Sequence, residues 1–215
     1  MESSKNEFHD TVWWQEENLK YSQPHYRLVK CARIVNALAK GRECDLLDVG
    51  CGPATLSKLL HKNIHYFGID LAIHDPSPNL MEMDLVENEI SFQNRVFDLI
   101  VGQGFFEYVG GFQKKKFSEI KRNLKSNGKF VATYMNFSHL HKQVYPMYNN
   151  VMPLNDFIRE LGSVFQIERY FPTSHNWIGT EPKRAWLKEI QLPLYINMPV
   201  ISPLFGVEYF FICAK

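Results

Sequence analysis

Residues 46–60 read LLDVGCGPATLSKLL, and this stretch decides the fold. Leu46, Leu47 and Val49 are apolar in a run that suits a strand covered on both faces. Gly50 and Gly52 permit backbone angles that a Cβ would obstruct, and they let a ligand lie against the main chain. Pro53 suits the first position of a helix, and Leu56, Leu59 and Leu60 follow at the spacing of one apolar helical face. A helix start placed after a parallel strand offers free backbone N–H groups at the strand's carboxyl end.

Outward from this turn, the pattern predicts strands alternating with helices. On the amino side, Leu28, Cys31, Ala32, Val35 and Leu38 share one face of a helix over residues 27–40, and Gly41 stops it. Cys44 to Val49 is the first strand. Ile64 to Asp70, Leu80 to Met83, Val96 to Val101, Lys129 to Tyr134, Val164 to Phe171 and Glu208 to Ala214 are the others. Residues 112–125 read as an amphipathic helix with Phe117, Ile120 and Leu124 inward, Lys114 to Lys116 on its solvated face and Asn127-Gly128 at its end. Leu154, Phe157, Ile158 and Leu161 mark another short helix. The expected class is α/β: a doubly wound, mostly parallel seven-stranded sheet, with the last two strands antiparallel at one edge because no helix separates them. Residues 1–215 read as a single domain. Residues 1–40 form an N-terminal helical cap, and residues 136–152 and the proline-rich 172–206 form cap insertions.

The composition excludes several function classes. The 215 residues carry a formal net charge of +1, so no global field favours nucleic acid or an anionic membrane. The polar start MESSKNEFHD does not read as a signal peptide, so none is expected, and no run has the ~18 apolar residues of a membrane span. Cys31, Cys44, Cys51 and Cys213 have no C-x-x-C spacing and read as reduced thiols of a cytoplasmic protein. His139 and His141 have no clear third partner, so they read as surface or substrate-pocket residues, and no metal is expected.

Chemistry gathers at the strand ends. Asp48, Asp70 and Asp84 would lie side by side along one edge of the sheet. Asp70, 20 residues after Gly50, is placed to accept hydrogen bonds from both hydroxyls of a ribose. Asp84 is placed for an adenine amino group, or else as a helix N-cap. An adenosine ligand follows. A dinucleotide site wants G-x-G-x-x-G, but Thr55 stands in the third glycine's place, and Asp48 would repel a pyrophosphate while attracting an ammonium group.

With these residues in view, the chain resembles the class I S-adenosylmethionine-dependent methyltransferases from about Arg27 to Tyr134. The family's D/E-x-G-x-G-x-G appears as Asp48-Val49-Gly50-Cys51-Gly52-Pro53-Ala54, with Ala54 in place of the last glycine. FGIDLA, MEMDL, FDLIVGQGFFEYVGG and LKSNGKFVATY resemble its later segments in order. The resemblance implies a Rossmann-like methyltransferase fold and S-adenosylmethionine as cofactor, with S-adenosylhomocysteine as product. It implies that Asp48, Gly50, Cys51, Gly52, Asp70, Leu71, Asp84, Leu85 and Gln103 hold that cofactor.

The acceptor side is expected beyond strands four to six. Glu107, Tyr108 and His139 are the candidate catalytic residues. Aromatics, 14% of the chain, gather before the core and in the insertions. Trp14, Tyr21, Tyr26, Phe106, Tyr134, His141, Tyr145 and Trp177 are expected to line a small-molecule pocket, or to fill the core of a compact cap. No N/D-P-P-Y/F motif and no basic stripe supports a nucleic-acid substrate. The expected activity is methyl transfer to oxygen or nitrogen of a small aromatic or apolar molecule. The alternatives are a non-catalytic S-adenosylmethionine-binding subunit or regulator, and an adenine-dinucleotide binder with a degenerate glycine motif.

Overall fold

The computed structural model describes residues 14–16, 19–137, 151–173 and 206–215. Seven strands form one sheet: β1 (Cys44–Val49), β2 (Ile64–Asp70), β3 (Leu80–Glu82), β4 (Phe97–Gly102), β5 (Leu124–Met135), β6 (Gln166–Pro172) and β7 (Glu208–Ala214). Their order across the sheet is β3-β2-β1-β4-β5-β7-β6. The β1–β5 pairings are parallel, whereas β7 runs antiparallel to both β5 and β6. The last strand therefore inserts between β5 and β6 and leaves β6 at the edge.

The alternation of side chains along each strand divides the core into two layers. Leu47, Val49, Phe67, Ile69, Ile100, Phe130 and Phe211 face one side, where helices α2 (Gln113–Asn123) and α3 (Leu154–Val164) cover them with Phe117, Ile120, Phe157 and Leu161. Leu46, Ile64, Leu99, Val101, Val131 and Phe210 face the other side, under Cys31, Ala32, Val35 and Ala39 of helix α1 (Tyr26–Ala39). Residues 26–39 of the expected N-terminal cap are thus a helix packed on the sheet face. Its apolar stripe has nowhere else to be buried.

Three local expectations change. No α-helix follows the glycine turn. Ala54 takes a left-handed conformation (φ 52°, ψ 27°), and only a 3₁₀ segment, Thr55–Leu59, forms before Leu60 turns extended. Pro53 therefore sits in the turn, not at a helix start. Asn127-Gly128 lies inside β5, because α2 already stops at Asn123. There the register with β4 slips from Phe97↔Leu124 to Leu99↔Lys129, so the extra residues bulge out. Lys116 is fully buried, not solvated. Its Nζ donates to Glu119 Oε2 at 2.8 Å and to the Asn88 carbonyl at 2.7 Å, which is the pairing a buried ammonium requires.

Among the described residues no helix is long and apolar enough to cross a membrane, and no group of His, Cys, Asp or Glu is arranged to hold a metal ion. All four cysteines are buried free thiols.

Candidate cofactor and acceptor site

Strand β1 delivers the glycine turn to the carboxyl edge of the sheet. There the Gly50 and Cys51 N–H groups both donate to the Ile69 carbonyl, at 2.8 and 3.1 Å. Gly50 (φ 74°) and Gly52 (φ 51°) are both left-handed, which a Cβ would oppose. The Gly52 N–H donates to Asp70 Oδ2 at 2.7 Å, so the carboxylate at the end of β2 holds the turn from β1. Gly68 makes the approach possible. A Cβ there would stand 2.7 Å from Cys51 Sγ and 2.8 Å from Leu80 Cδ2. Sequence reasoning overlooked Gly68, whose position mid-strand in IHYFGID was its only signal.

Asp48 lies one residue before the end of β1, opposite Gly68 in register. It is buried, and it accepts a 2.8 Å hydrogen bond from the Tyr66 hydroxyl. Burial pushes its carboxyl up to about 7, with Asp70 adding to the rise and the Tyr66 hydrogen bond opposing it. Asp84 is followed by a turn over residues 85–87, so it caps no helix. Its Oδ1 accepts from the Val86 and Glu87 N–H groups at 2.8 and 3.3 Å, and it also lines the cleft.

One cleft brings these residues together with the acceptor-side candidates. Asp48, Gly50, Cys51, Gly52, Asp70, Leu71, Asp84, Leu85 and Gln103 all line it. So do Trp14, Tyr21, Glu107 and Tyr108. The Trp14 and Tyr108 rings meet edge to face with centroids 4.9 Å apart. Thr55 Oγ1 donates to the Tyr21 carbonyl at 2.8 Å and so ties the glycine turn to the N-terminal segment.

Other expected pocket residues lie elsewhere. Phe106 is fully buried among Phe117, Phe130 and Phe157, so it is a core residue. Tyr134 is also buried. It stacks on Phe157 at 3.8 Å and donates its hydroxyl to the Met152 carbonyl. Both side chains are drawn into the layer under α3, where their rings have apolar partners. Tyr26 begins α1 and is exposed, while its neighbours His25 and Arg27 line the cleft. His139, His141, Tyr145 and Trp177 lie outside the described residues, as do most of 136–152 and 172–206.

Sequence reasoning missed Arg27. Its Nη1 donates to Glu208 Oε1 at 2.7 Å, from the start of α1 to the start of β7. Glu107 faces the same group. Its Oε1 accepts the Met135 N–H at 2.9 Å, and its Oε2 is buried without a hydrogen-bond partner. Burial raises the Glu107 carboxyl to about 7, Glu208 adding to the rise and Arg27 opposing it. Burial and the Arg27 charge hold His25 below the usual imidazole range.

The donor set fits an adenosine cofactor bearing positive charge. Three carboxylates line the cleft's β1–β3 end, and just past the end of β4 Gln103 Oε1 is buried with no partner, an acceptor ready for an ammonium donor. A description of the family, methyltransferase domain, matches residues 24–170. The chain is 26% identical, over 80% of its length and 71% of the relative's, to a malonyl-[acyl-carrier protein] O-methyltransferase of Calditerrivibrio nitroreducens. Its fold is similar to that of a TehB-like S-adenosylmethionine-dependent methyltransferase from Corynebacterium glutamicum (TM-score 0.58, 18% identity, 96% of this chain and 97% of that one). A second such enzyme, from Archaeoglobus fulgidus, gives a TM-score of 0.61 at 18% identity over 89% and 95% of the two chains. The family match covers more than half of the chain, and the strand order and the glycine turn agree with it. The chain belongs to the methyltransferase-domain family, as a class I enzyme that uses S-adenosylmethionine.

Proposed function

We propose that this methyltransferase acts on a small, largely apolar or aromatic molecule, and that the methylated atom is an oxygen or a nitrogen. One observation carries the reading. A single cleft has carboxylates and the glycine turn at its β1–β3 end and the paired rings of Trp14 and Tyr108 at the other. In this reading Asp70 and Leu71 hold the ribose, and Asp84 and Leu85 hold the adenine. Asp48, Gly50, Cys51, Gly52 and Gln103 surround the methionine part. The bound cofactor supplies an activated methyl group. The chain's own residues then align the acceptor and exclude water. Trp14 and Tyr108, packed edge to face, give the acceptor an apolar corner, and Tyr21, tied to Thr55, closes the side next to the glycine turn. Oxygen is favoured over nitrogen, because the relative at 26% identity is an O-methyltransferase.

Calorimetry with S-adenosylhomocysteine and with NAD, followed by labelled-methyl transfer into a metabolite extract, tests this. Binding of S-adenosylhomocysteine alone, with label recovered in a small organic product, is expected. Binding of NAD alone would overturn the cofactor assignment, and label recovered only in protein or nucleic acid would overturn the acceptor class.

A further inference from the structure

We propose that Glu107 Oε2 is the base of the acceptor end, and that the acceptor is an uncharged group carrying its own proton, a hydroxyl or an amine, rather than a carboxylate. This rests on the reading of the cleft as one chamber for cofactor and acceptor.

The first support is geometric. Strand β5 runs beyond the end of β4, to Met135, so the Met135 N–H has no β4 partner. Glu107 Oε1 accepts that N–H at 2.9 Å, which fixes the carboxylate plane. The other oxygen is buried, lacks a partner and belongs to a residue lining the cleft. A carboxylate kept only to satisfy Met135 would leave Oε2 without a hydrogen bond, at a cost of about 1–3 kcal/mol that the Arg27 charge offsets only in part. A proton donor in the cleft offsets it.

The second support is charge. Arg27 is the one arginine or lysine among the described residues that line the cleft, and its Nη1 is bound to Glu208. Arg27 Nε, also buried without a partner, can hold an acceptor oxygen, but the guanidinium's charge is already matched by Glu208. A carboxylate acceptor would be a third carboxylate beside Glu107 and Glu208, facing one cation. An uncharged X–H adds no charge and offers Oε2 the hydrogen it lacks. The transfer then balances. The acceptor's lone pair forms the new X–CH₃ bond, the sulfur–methyl bond breaks with its electrons left on sulfur, and the X–H proton passes to Glu107 Oε2.

The groups that set the basicity of Glu107 are Glu208 of β7, which raises it, and the backbone N–H groups of Glu107 and Met135 with Arg27 of α1, which lower it. Tyr134 of β5 in turn feels the Glu107 charge. With the Glu107 carboxyl at about 7, the rate should climb as pH rises through that value and frees Oε2 of its proton.

Glu107→Gln tests this, since the amide oxygen can still accept the Met135 N–H. Affinity for S-adenosylhomocysteine should be unchanged by calorimetry. Labelled-methyl transfer into a metabolite extract should fall about 10²–10⁴-fold, and the ascending limb near pH 7 should vanish from what remains. Wild-type product should keep its label in mild alkali, as an ether or methylamine does. Cation exchange of that product separates the two. Label released as methanol marks a methyl ester and overturns the proposal, as does a Glu107→Gln enzyme that transfers at the wild-type rate. The titration needs no acceptor. In protein labelled with ¹³C at the glutamate carboxyl, the resonance absent from Glu107→Gln should titrate near 7, and titration in the ordinary carboxylate range overturns the proposal. Failure of wild type to bind S-adenosylhomocysteine would instead count against the cofactor reading.

Discussion

The two ends of the cleft are built in opposite ways. At the β1–β3 end, the turn at residues 50–52 and the carboxylate at residue 70 are joined by bonds between adjacent parallel strands, with Gly50 N–H on Ile69 and Gly52 N–H on Asp70. At the β4–β7 end, the groups come from distant parts of the chain. Arg27 meets Glu208 across 181 residues, and Glu107 meets the Met135 N–H across 28. The first end is held by backbone N–H groups, two on the Ile69 carbonyl and one on the Asp70 carboxylate, and side-chain changes there should alter binding more than folding. The second is held by buried charge, and changes there should reach the fold itself.

Arg27→Met puts the largest effect on that contrast. It leaves Glu208 buried and unpaired, a loss expected to cost about 3–5 kcal/mol of stability. Urea unfolding measures it, and the double variant Arg27→Met with Glu208→Gln should recover part of the loss. A single variant as stable as wild type would mean that the second end is not held by charge. Asp70→Ala is the counterpart at the first end. Losing the carboxylate should weaken S-adenosylhomocysteine binding by roughly 10²-fold or more, while freeing the Gly52 N–H should cost about 1.5–3 kcal/mol of stability, less than Arg27→Met. Unaltered affinity would remove Asp70 from the ribose.

The same contrast explains what the sequence disclosed. Asp48, the glycine turn, Asp70 and Asp84 could be placed because each is local to a strand end, and parallel strand ends share one edge. Trp14 and Tyr108 could be named but not paired. Arg27 could not be found, because a helix N-terminal arginine looks solvated until β7 inserts beside β5 and brings Glu208 to it. Phe106 and Tyr134 misled for a related reason. An aromatic just past a strand end suits a pocket wall, but α3 covers that layer and takes both rings into the core. Lys116 was misread in the same way, since three consecutive lysines look like a solvated face until Glu119 and the Asn88 carbonyl are seen around one of them.

Buried charge at both ends gives a pH signature that can sharpen the comparison. Asp48 and Glu107 are each raised by burial to about 7 from 3.8 and 4.5. Between its unfolded and folded values each group holds a proton only in the folded state, so the unfolded state binds fewer protons and stability falls as pH rises through that window. The slope is about 1.4 kcal/mol for each pH unit over which one such group differs in protonation. Asp48→Asn and Glu107→Gln should each flatten stability measured from pH 4 to 7. Binding of a cationic cofactor should lower only the Asp48 value and release a proton near pH 7, read as a dependence of the binding enthalpy on buffer ionisation. Proton release undiminished in Asp48→Asn would move that linkage away from the first end.

The smallest effect lies in the turn where the helix was expected. Ala54 occupies the last position of the family's glycine pattern, yet it keeps the left-handed conformation (φ 52°) that a glycine there would take without strain. For a residue with a Cβ this costs roughly 1–2 kcal/mol. Replacing it by glycine removes the strain but adds about 0.5–1 kcal/mol of unfolded-state entropy to be lost on folding. The balance favours Ala54→Gly by about 0.5 kcal/mol, or a melting temperature higher by roughly 1–2 °C in a chain of this size. Because the turn is held by the Gly52–Asp70 bond and the Ala54 N–H donates to the Cys51 carbonyl in either variant, cofactor affinity should not change. A fall in melting temperature would mean that Ala54 is held by packing the turn needs. An altered affinity would mean that the strain at residue 54 is coupled to the ligand.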